Sequence, residues 1–224
     1  MLVLASASPR RKELLRSAGI PFVVQPSDVD ESELPSPVPR ECAELLACKK
    51  ALAVWRMRGK DAQTHDLRTQ DVVLGADTIV VVDETILGKP ADAEDAVRML
   101  RLLSGRVHRV ITGVCVMEPV VSCRLPVASG TGPRNVRERI HESLGADCPP
   151  LNVASEITLV TMSELSDQEI REYVATGEPM DKAGAYAIQG MASRWIPRIE
   201  GDYSNVVGLP VALVYRMLRE RGII

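Results

Sequence analysis

The sequence predicts a mixed α/β fold, an elongated sheet with two lobes around a central cleft. Short apolar runs typical of buried strands alternate with amphipathic stretches of helical period along the chain. Charged residues fall at the ends of these predicted elements, where a cleft would meet them. The chain has 224 residues, and we expect residues 1–224 to form a single domain with a proper core.

The first predicted elements are a strand, a tight loop and a helix. Residues 2–5 form a short apolar run, LVLA, that we interpret as a buried strand. Ser8 is a typical N-cap, Pro9 is a typical first helical residue, and Gly19 marks the helix end. Arginines follow Pro9 directly, although the helix dipole disfavours cations in a first turn unless an anion also binds there.

The later elements follow from similar patterns. Ser166 and Glu169 have the spacing of a capping box. Residues 118–155 combine several prolines and glycines with a short helical stretch, which predicts an insertion within a hairpin. The remaining predictions are, in order, a strand at 22–25, a helix at 41–56, two strands within 72–90 interrupted at 75–78, a helix at 92–103, a strand at 107–117, a short helix at 135–144, a strand at 156–162, a helix at 166–177, a strand pair at 195–207 and a helix at 210–221.

The overall charge argues against nucleic acid as a partner. The net charge is −3, whereas proteins that bind nucleic acid through its backbone usually carry a basic excess. Aromatic residues make up 3% of the chain, too few for a base-stacking platform. Any recognition of phosphate should therefore take place in a local pocket.

Cysteine usage and hydropathy favour the cytoplasm. The five cysteines are odd in number and form no CxxC pair, which indicates reduced thiols. No apolar run approaches the roughly twenty residues that span a bilayer, so no membrane partner is expected. The segment MLVLASASPRR has no basic stretch ahead of its apolar run, unlike a signal peptide.

Two segments carry candidate site residues near the predicted strand ends. Ser8, Arg10 and Arg11 combine a helix N-terminus with bidentate donors, which suits a phosphate group. A surface turn with two solvated arginines is an equal alternative. Asp77 lies between two apolar runs, where an acid is costly unless it meets a cation, a metal or a hydrogen-bond donor. A satisfied structural role beside Thr78 is the alternative there.

Other candidates are weaker when considered one at a time. Lys89 precedes a proline at a loop-to-helix junction, and Lys49 or Lys50 could point from a helix into the cleft. Glu31 belongs to an acidic loop, and a solvated charge is the more common role for each of these residues when it is considered alone. The segment 181–190 alternates small residues with Asp181, Lys182 and Gln189, and a glutamine can recognise a base edge. A glycine-rich turn into a strand is the alternative.

Taken together, these segments resemble the Maf family of nucleotide pyrophosphatases. The matching segments are LASASPRR at 4–11, DVDE at 28–31, KKA at 49–51, GADTIV at 75–80, GKPADAEDAVRML at 88–100, LSG at 103–105, EPMDKAGAYAIQG at 178–190 and GDYSNVVGLP at 201–210. Motifs in this order over nearly the whole chain are specific, although each one alone is weak. The resemblance implies a fold related to the inosine-triphosphate pyrophosphatases, a nucleotide in the central cleft, and a homodimer.

The resemblance also implies roles for individual residues. It makes Asp77 the acid–base residue, and it implies a divalent metal, Mg²⁺, Mn²⁺ or Co²⁺, held by an acidic set of Glu31, Asp77 and Asp181. It assigns phosphate binding to the cationic and N-terminal residues Ser8, Arg10, Arg11, Lys50, Lys89 and Lys182, with Lys50 and Lys89 close to the chemistry.

Three positions imply the substrate. Arg10, Thr78 and Gln189 match the subgroup that hydrolyses thymidine and uridine triphosphates to the monophosphate and pyrophosphate. A sister subgroup acts on 7-methylguanosine triphosphate, so that substrate, or a broader range, is the alternative within the enzymes. A regulatory cell-division protein that acts by binding is the alternative of another class. Ala187 departs from the family, which more often has glycine there, and its methyl group would narrow the base pocket.

Overall fold

A computed structural model describes residues 1–29, 34–61, 71–118, 144 and 149–224. The strands of the described residues are β1 (Leu2–Leu4), β2 (Val23–Val24), β3 (Val72–Val82), β4 (Thr85–Leu87), β5 (Val107–Met117), β6 (Leu151–Thr161) and β7 (Arg198–Glu200). They form a seven-stranded mixed sheet in the order β2-β1-β3-β5-β6-β7, with β4 paired to β3. β1 runs parallel to β2 and β3, whereas β3, β5, β6 and β7 alternate in direction. The predicted mixed α/β class is confirmed.

Helices cover both faces of this sheet. They are α1 (Pro9–Ser17), α2 (Pro39–Asp61), α3 (Ala93–Leu103), α4 (Asp167–Ala175), α5 (Tyr203–Val207) and α6 (Val211–Arg219). Short 3₁₀ turns lie at Glu178–Asp181, Ala183–Ala185 and Met191–Trp195. None of the helices in the described ranges combines the length and the apolar character needed to cross a membrane.

The helix α2 lies unusually close to the sheet because two glycines face it. A Cβ at Gly75 of β3 would lie 2.2 Å from the backbone oxygen of Ala47, and one at Gly113 of β5 would lie 2.2 Å from that of Ala43. A side chain at either position would push the helix away from the strands. These glycines therefore set the height of α2 above β3 and β5.

The opposite face of the sheet carries two apolar clusters with a polar band between them. One cluster packs α3 and α4 on the sheet through residues such as Val80 and Leu100. The other packs α6 on it through residues such as Leu74 and Leu213. The polar band consists of Thr78, Thr112, Thr158 and Asn205, which are linked by hydrogen bonds across β3, β5 and β6. This band is the boundary between the two packed units on that face.

Local sequence signals located most elements. Pro9 begins α1, and Asp92 caps α3 by accepting a hydrogen bond from the Asp95 N–H. Ser166 and Glu169 form the predicted capping box of α4. β5 and β6 pair from Val107–Thr161 to Met117–Leu151. Residues 151–155, which we assigned to the insertion, lie in β6, and most of the predicted helix at 135–144 lies outside the described residues.

Two local predictions are wrong. β3 is continuous through Gly75–Thr78, because Gly75 permits close packing of α2 and does not break the strand. The strand pair at 195–207 is replaced by β7 and the helix α5. Asp202 caps α5 by accepting a hydrogen bond from the Ser204 N–H. Val206 and Val207, which we assigned to a strand, therefore belong to a short helix.

Candidate active site

A buried ion pair joins β3 to α2. Asp77 is 6% exposed and Lys50 is 7% exposed, and the Lys50 Nζ lies 2.5 Å from the Asp77 Oδ1. Two charges out of water are tolerated only when they compensate one another. Lys49 occupies the preceding helical position and is half-buried. The register of α2 therefore selects Lys50 as the lysine that meets Asp77.

Arg11 is held on the other side of the same strand. Its Nε donates to the Gly208 oxygen at 2.8 Å, and its Nη1 donates to the Ala76 oxygen at 2.8 Å. Its Nη2 donates to the Thr78 Oγ1 at 3.1 Å, and Nη1 also reaches the Ser6 Oγ at 3.3 Å. These bonds fasten α1 to β3 and to the segment between α5 and α6. A phosphate bound by Arg11 would have to share or replace some of them.

Lysine in place of Arg11 is expected to lower the free energy of unfolding by about 2–3 kcal/mol, since a hydrogen bond from a charged donor contributes about 1.5–3 kcal/mol. A single ammonium group cannot reach Gly208, Ala76 and Thr78 together. Urea unfolding of the variant measures the loss. Arg10→Lys is the matched control at the neighbouring position, with an expected change below about 0.5 kcal/mol. Equal losses of stability for both variants would contradict the role of Arg11 in fastening α1 to β3.

Thr78 and Asp77 point to opposite faces of β3. Successive side chains alternate along a strand, so the carboxylate faces α2 while the Thr78 hydroxyl faces the polar band. The Thr78 Oγ1 lies 3.0 Å from the Thr112 Oγ1 and 3.3 Å from the Gly208 oxygen. Asp77 and Thr78 can therefore contact one ligand only if that ligand reaches both faces of β3.

Arg10, Asp181 and Lys182 lie together near the surface, and this cluster is called the cationic rim. The Arg10 Nη1 lies 4.0 Å from the Asp181 Oδ2, and Lys182 donates to Asp181 as well as to the Glu178 backbone oxygen. Burial opposes ionisation of Asp181, but Lys182 and Arg10 outweigh it and lower the Asp181 pKa. The Asp181 side chain is 70% exposed. This cluster places two cations and one carboxylate in reach of solvent.

The other predicted residues are spread over neighbouring loops. Ser8 precedes α1 and donates its backbone N–H to the Ser6 Oγ at 3.2 Å. Lys89 and Gln189 are both exposed. Their loops are connected because the Gly184 N–H donates to the Gly88 oxygen at 2.9 Å.

The predicted metal set is not assembled by the described residues alone. Glu31 lies outside them, and within them no group of three His, Cys, Asp or Glu side chains could hold a metal ion. Asp77 contacts Lys50, and Asp181 contacts Lys182 and Arg10. Asp77 and Asp181 thus each contact a cation, and these two carboxylates do not form a metal site without a further ligand.

The side chains that support Thr78 were not among the predicted site residues. The Thr112 hydroxyl donates to the backbone oxygen of Asn205 at 3.2 Å. The side-chain amide of Asn205 in turn donates to the Val110 backbone oxygen and to the Thr158 Oγ1, both at 3.0 Å. The signal that could have indicated them is the polar Thr112 in the apolar run VITGVCVM. An isolated hydroxyl in a buried strand needs a partner.

These features define a mixed α/β protein with a buried carboxylate–lysine pair and a cationic rim. The chain belongs to the Maf family: the family model, described as Maf-like protein, matches residues 1–221. The predicted resemblance is thereby confirmed. The family model spans all but the last three positions, so it includes every residue of the site.

Full-length relatives carry a common name. A dTTP/UTP pyrophosphatase of Koribacter versatilis is 48% identical and covers 100% of this chain and 95% of its own. A dTTP/UTP pyrophosphatase of Symbiobacterium thermophilum is 47% identical over 99% of this chain and 94% of its own. The crystal structure of a nucleoside-triphosphatase / dITP/XTP pyrophosphatase from Mycobacterium abscessus aligns over 99% of this chain and 95% of its own. Its 13% identity and TM-score of 0.40 are too low to bear on the site.

Proposed function

We propose that this protein hydrolyses dTTP or UTP to the nucleoside monophosphate and pyrophosphate. The observation that carries the proposal is the buried Lys50–Asp77 pair in the middle of β3. A carboxylate held in place beside an ammonium group can orient water and accept its proton. The names of the full-length relatives support the same reaction.

The reaction needs a nucleophile and a stabilised leaving group. In the proposed step, water attacks the α-phosphorus and a new P–O bond forms. The bond between the α-phosphorus and the oxygen that bridges it to the β-phosphorus breaks. Asp77 takes the proton of the attacking water, and pyrophosphate leaves with the electron pair of the broken bond. Lys50 supplies a fixed positive charge beside the reacting phosphate. Fixed charges that need no reorganisation are the most effective stabilisers of developing charge.

The remaining site residues bind the substrate in this proposal. The phosphates interact with the α1 N-terminus at Ser8 and with the side chains of Arg10, Arg11, Lys89 and Lys182. The proximity of Arg10 and Lys182 to the same carboxylate supports a shared role for these two cations. Thr78 and Gln189, together with Arg10, recognise the pyrimidine.

A substrate panel tests this specificity. Pyrophosphate release is measured with dTTP, UTP, CTP, GTP and 7-methyl-GTP, and we expect dTTP and UTP to lead. Turnover led by 7-methyl-GTP would keep the enzyme class and overturn the assignment of Arg10, Thr78 and Gln189. If none of the five nucleotides reacts, the binding role in cell division becomes the better hypothesis.

We also propose that turnover depends on Mg²⁺, Mn²⁺ or Co²⁺, with Glu31 joining Asp77 and Asp181 as ligands. When bound, such a cation neutralises phosphate charge. EDTA is expected to abolish pyrophosphate release, and excess Mg²⁺ or Mn²⁺ to restore it. The control is EDTA already saturated with the divalent cation under test, at the same ionic strength. Full turnover in EDTA would exclude the metal requirement.

The cellular setting is part of the same proposal. We propose a cytoplasmic homodimer, as the family resemblance implies. Cys42, Cys48 and Cys115 are free and buried, which supports a reducing compartment. Burial raises the pKa of the Cys48 thiol well above its ordinary value, so it is a poor nucleophile. Light scattering of the purified chain measures the oligomeric state.

A further inference from the structure

The segment from Glu178 to Met191, called the 178–191 loop below, carries two of the proposed substrate-binding side chains. Lys182 and Gln189 both belong to it, and its backbone consists of short 3₁₀ turns without strand pairing. Such segments are more mobile than helices or strands unless side chains fix them. The positions of Lys182 and Gln189 therefore depend on what holds this loop.

Glu178 closes the loop at its base. Its Oε1 accepts hydrogen bonds from the Tyr173 hydroxyl at 2.9 Å and from the Met191 N–H at 3.2 Å. Its Oε2 lies 3.3 Å from the same Met191 nitrogen. A Cβ at Gly190 would lie 1.9 Å from the Glu178 Oε1. The loop thus begins and ends on one carboxylate, and a side chain at Gly190 would displace that carboxylate.

Tyr186 fixes the middle of the loop. Its hydroxyl lies 2.7 Å from the Nε2 of His108, and the two rings meet edge to face with centroids 5.3 Å apart. Both side chains are buried. Burial lowers the pKa of His108 to about 4, so the imidazole is neutral at neutral pH. His108 belongs to β5, and this bond joins the loop to the central part of the sheet.

A third attachment joins the loop to the segment that carries Lys89. The Gly184 N–H donates to the Gly88 oxygen at 2.9 Å. Gly184 has φ +69°, and a Cβ there would lie 2.9 Å from the Cβ of Val80. The loop is therefore fixed at its base, at its middle and at its hydrogen bond to Gly88.

We propose that Tyr186, through His108, and Glu178 are positioning residues that hold Lys182 and Gln189 against the nucleotide. Neither Tyr186 nor His108 has a part in the chemistry proposed above. The inference rests on the proposed function, because it assigns these residues to the same site. Tyr186 is buried within the α3 and α4 cluster and His108 is buried beside it, so both act on substrate only through the loop.

Tyr186→Phe is the sharpest test, because it removes the hydroxyl and keeps the ring contact. We expect amide hydrogen exchange of residues 182–190 to accelerate about tenfold, the effect of losing one buried hydrogen bond. Exchange in β5 and β6 should stay unchanged. Tyr215→Phe, an exposed tyrosine of α6, is the matched control. Unchanged exchange in the loop would overturn the inference whether or not the protein turns over any nucleotide.

Kinetics separate positioning from a merely structural role. Tyr186→Phe is expected to raise the KM for dTTP about tenfold, with kcat changed less than about threefold, as for a loss of uniform binding. In a Gln189→Ala background the same change should raise KM by a smaller factor, because the part of its effect that acts through Gln189 is lost and only the part through Lys182 remains. Effects that multiply would overturn this coupling.

Glu178→Gln gives an independent second arm. Its amide nitrogen replaces one of the two oxygens that contact the Met191 N–H, so one of those two contacts is lost. We expect faster exchange at 182–190 and a higher KM, as for Tyr186→Phe. An unreactive wild-type protein would refute the proposed function, whereas a reactive one with unchanged KM and exchange in both variants would refute only the positioning role.

Discussion

Asparagine in place of Asp77 is expected to slow pyrophosphate release from dTTP or UTP roughly 10²- to 10⁴-fold, the usual contribution of a general base. Asparagine has nearly the same shape but carries no negative charge and is a very weak base. The carboxylate is buried on β3 and is held in place by Lys50. Steady-state assays with saturating nucleotide measure the loss in kcat.

Asp167→Asn is the matched control for this prediction. Asp167 is an exposed aspartate whose carboxylate pairs with Arg101 on the surface. A surface pair of this kind contributes little, so activity should stay within about twofold of wild type. Circular dichroism and urea unfolding show whether each variant is folded. A folded Asp77→Asn variant that keeps full activity would remove Asp77 from the mechanism.

Methionine in place of Lys50 is expected to reduce kcat roughly 10²- to 10³-fold, as expected for the loss of one fixed charge or donor near the reacting phosphate. It leaves the Asp77 carboxylate buried without its lysine, which is expected to lower the free energy of unfolding by about 3 kcal/mol. Pyrophosphate release and urea unfolding measure the two effects separately.

Lys49→Met provides the control for Lys50→Met within the same helix. The two lysines are adjacent in sequence, but their side chains leave α2 about 100° apart, because the helix has 3.6 residues per turn. Activity and stability of Lys49→Met should stay close to wild type. If instead Lys49→Met were the inactive variant, the site would be built around the other face of α2.

Local physics made much of this fold predictable. The capping box of Ser166 and Glu169 and the proline at the start of α1 depend on residues a few positions apart. Such signals need no knowledge of the rest of the chain. The largely apolar run of β5 likewise identified the strand at 107–117, because a strand buried on both faces carries few polar side chains.

The rest depended on contacts between distant segments. Nothing local distinguishes Lys49 from Lys50, or Arg10 from Arg11, and only the packing of α1 and α2 on β3 decides which is buried. Gly75 was misinterpreted for the same reason. Glycine is needed there because the backbone of Ala47, in another element, lies too close for a side chain. The opposite orientations of Asp77 and Thr78 followed from strand geometry once β3 was known to be continuous.

The two glycines beneath α2 also limit how this protein could be made more heat-resistant. Alanine in place of a strand glycine often increases stability, and engineers use such changes routinely. At Gly75 or Gly113 the added methyl group would displace α2 and lengthen the contact between Lys50 and Asp77. A more durable variant should therefore be sought at surface positions, because the thin layer between α2 and the sheet is the part that the proposed chemistry requires.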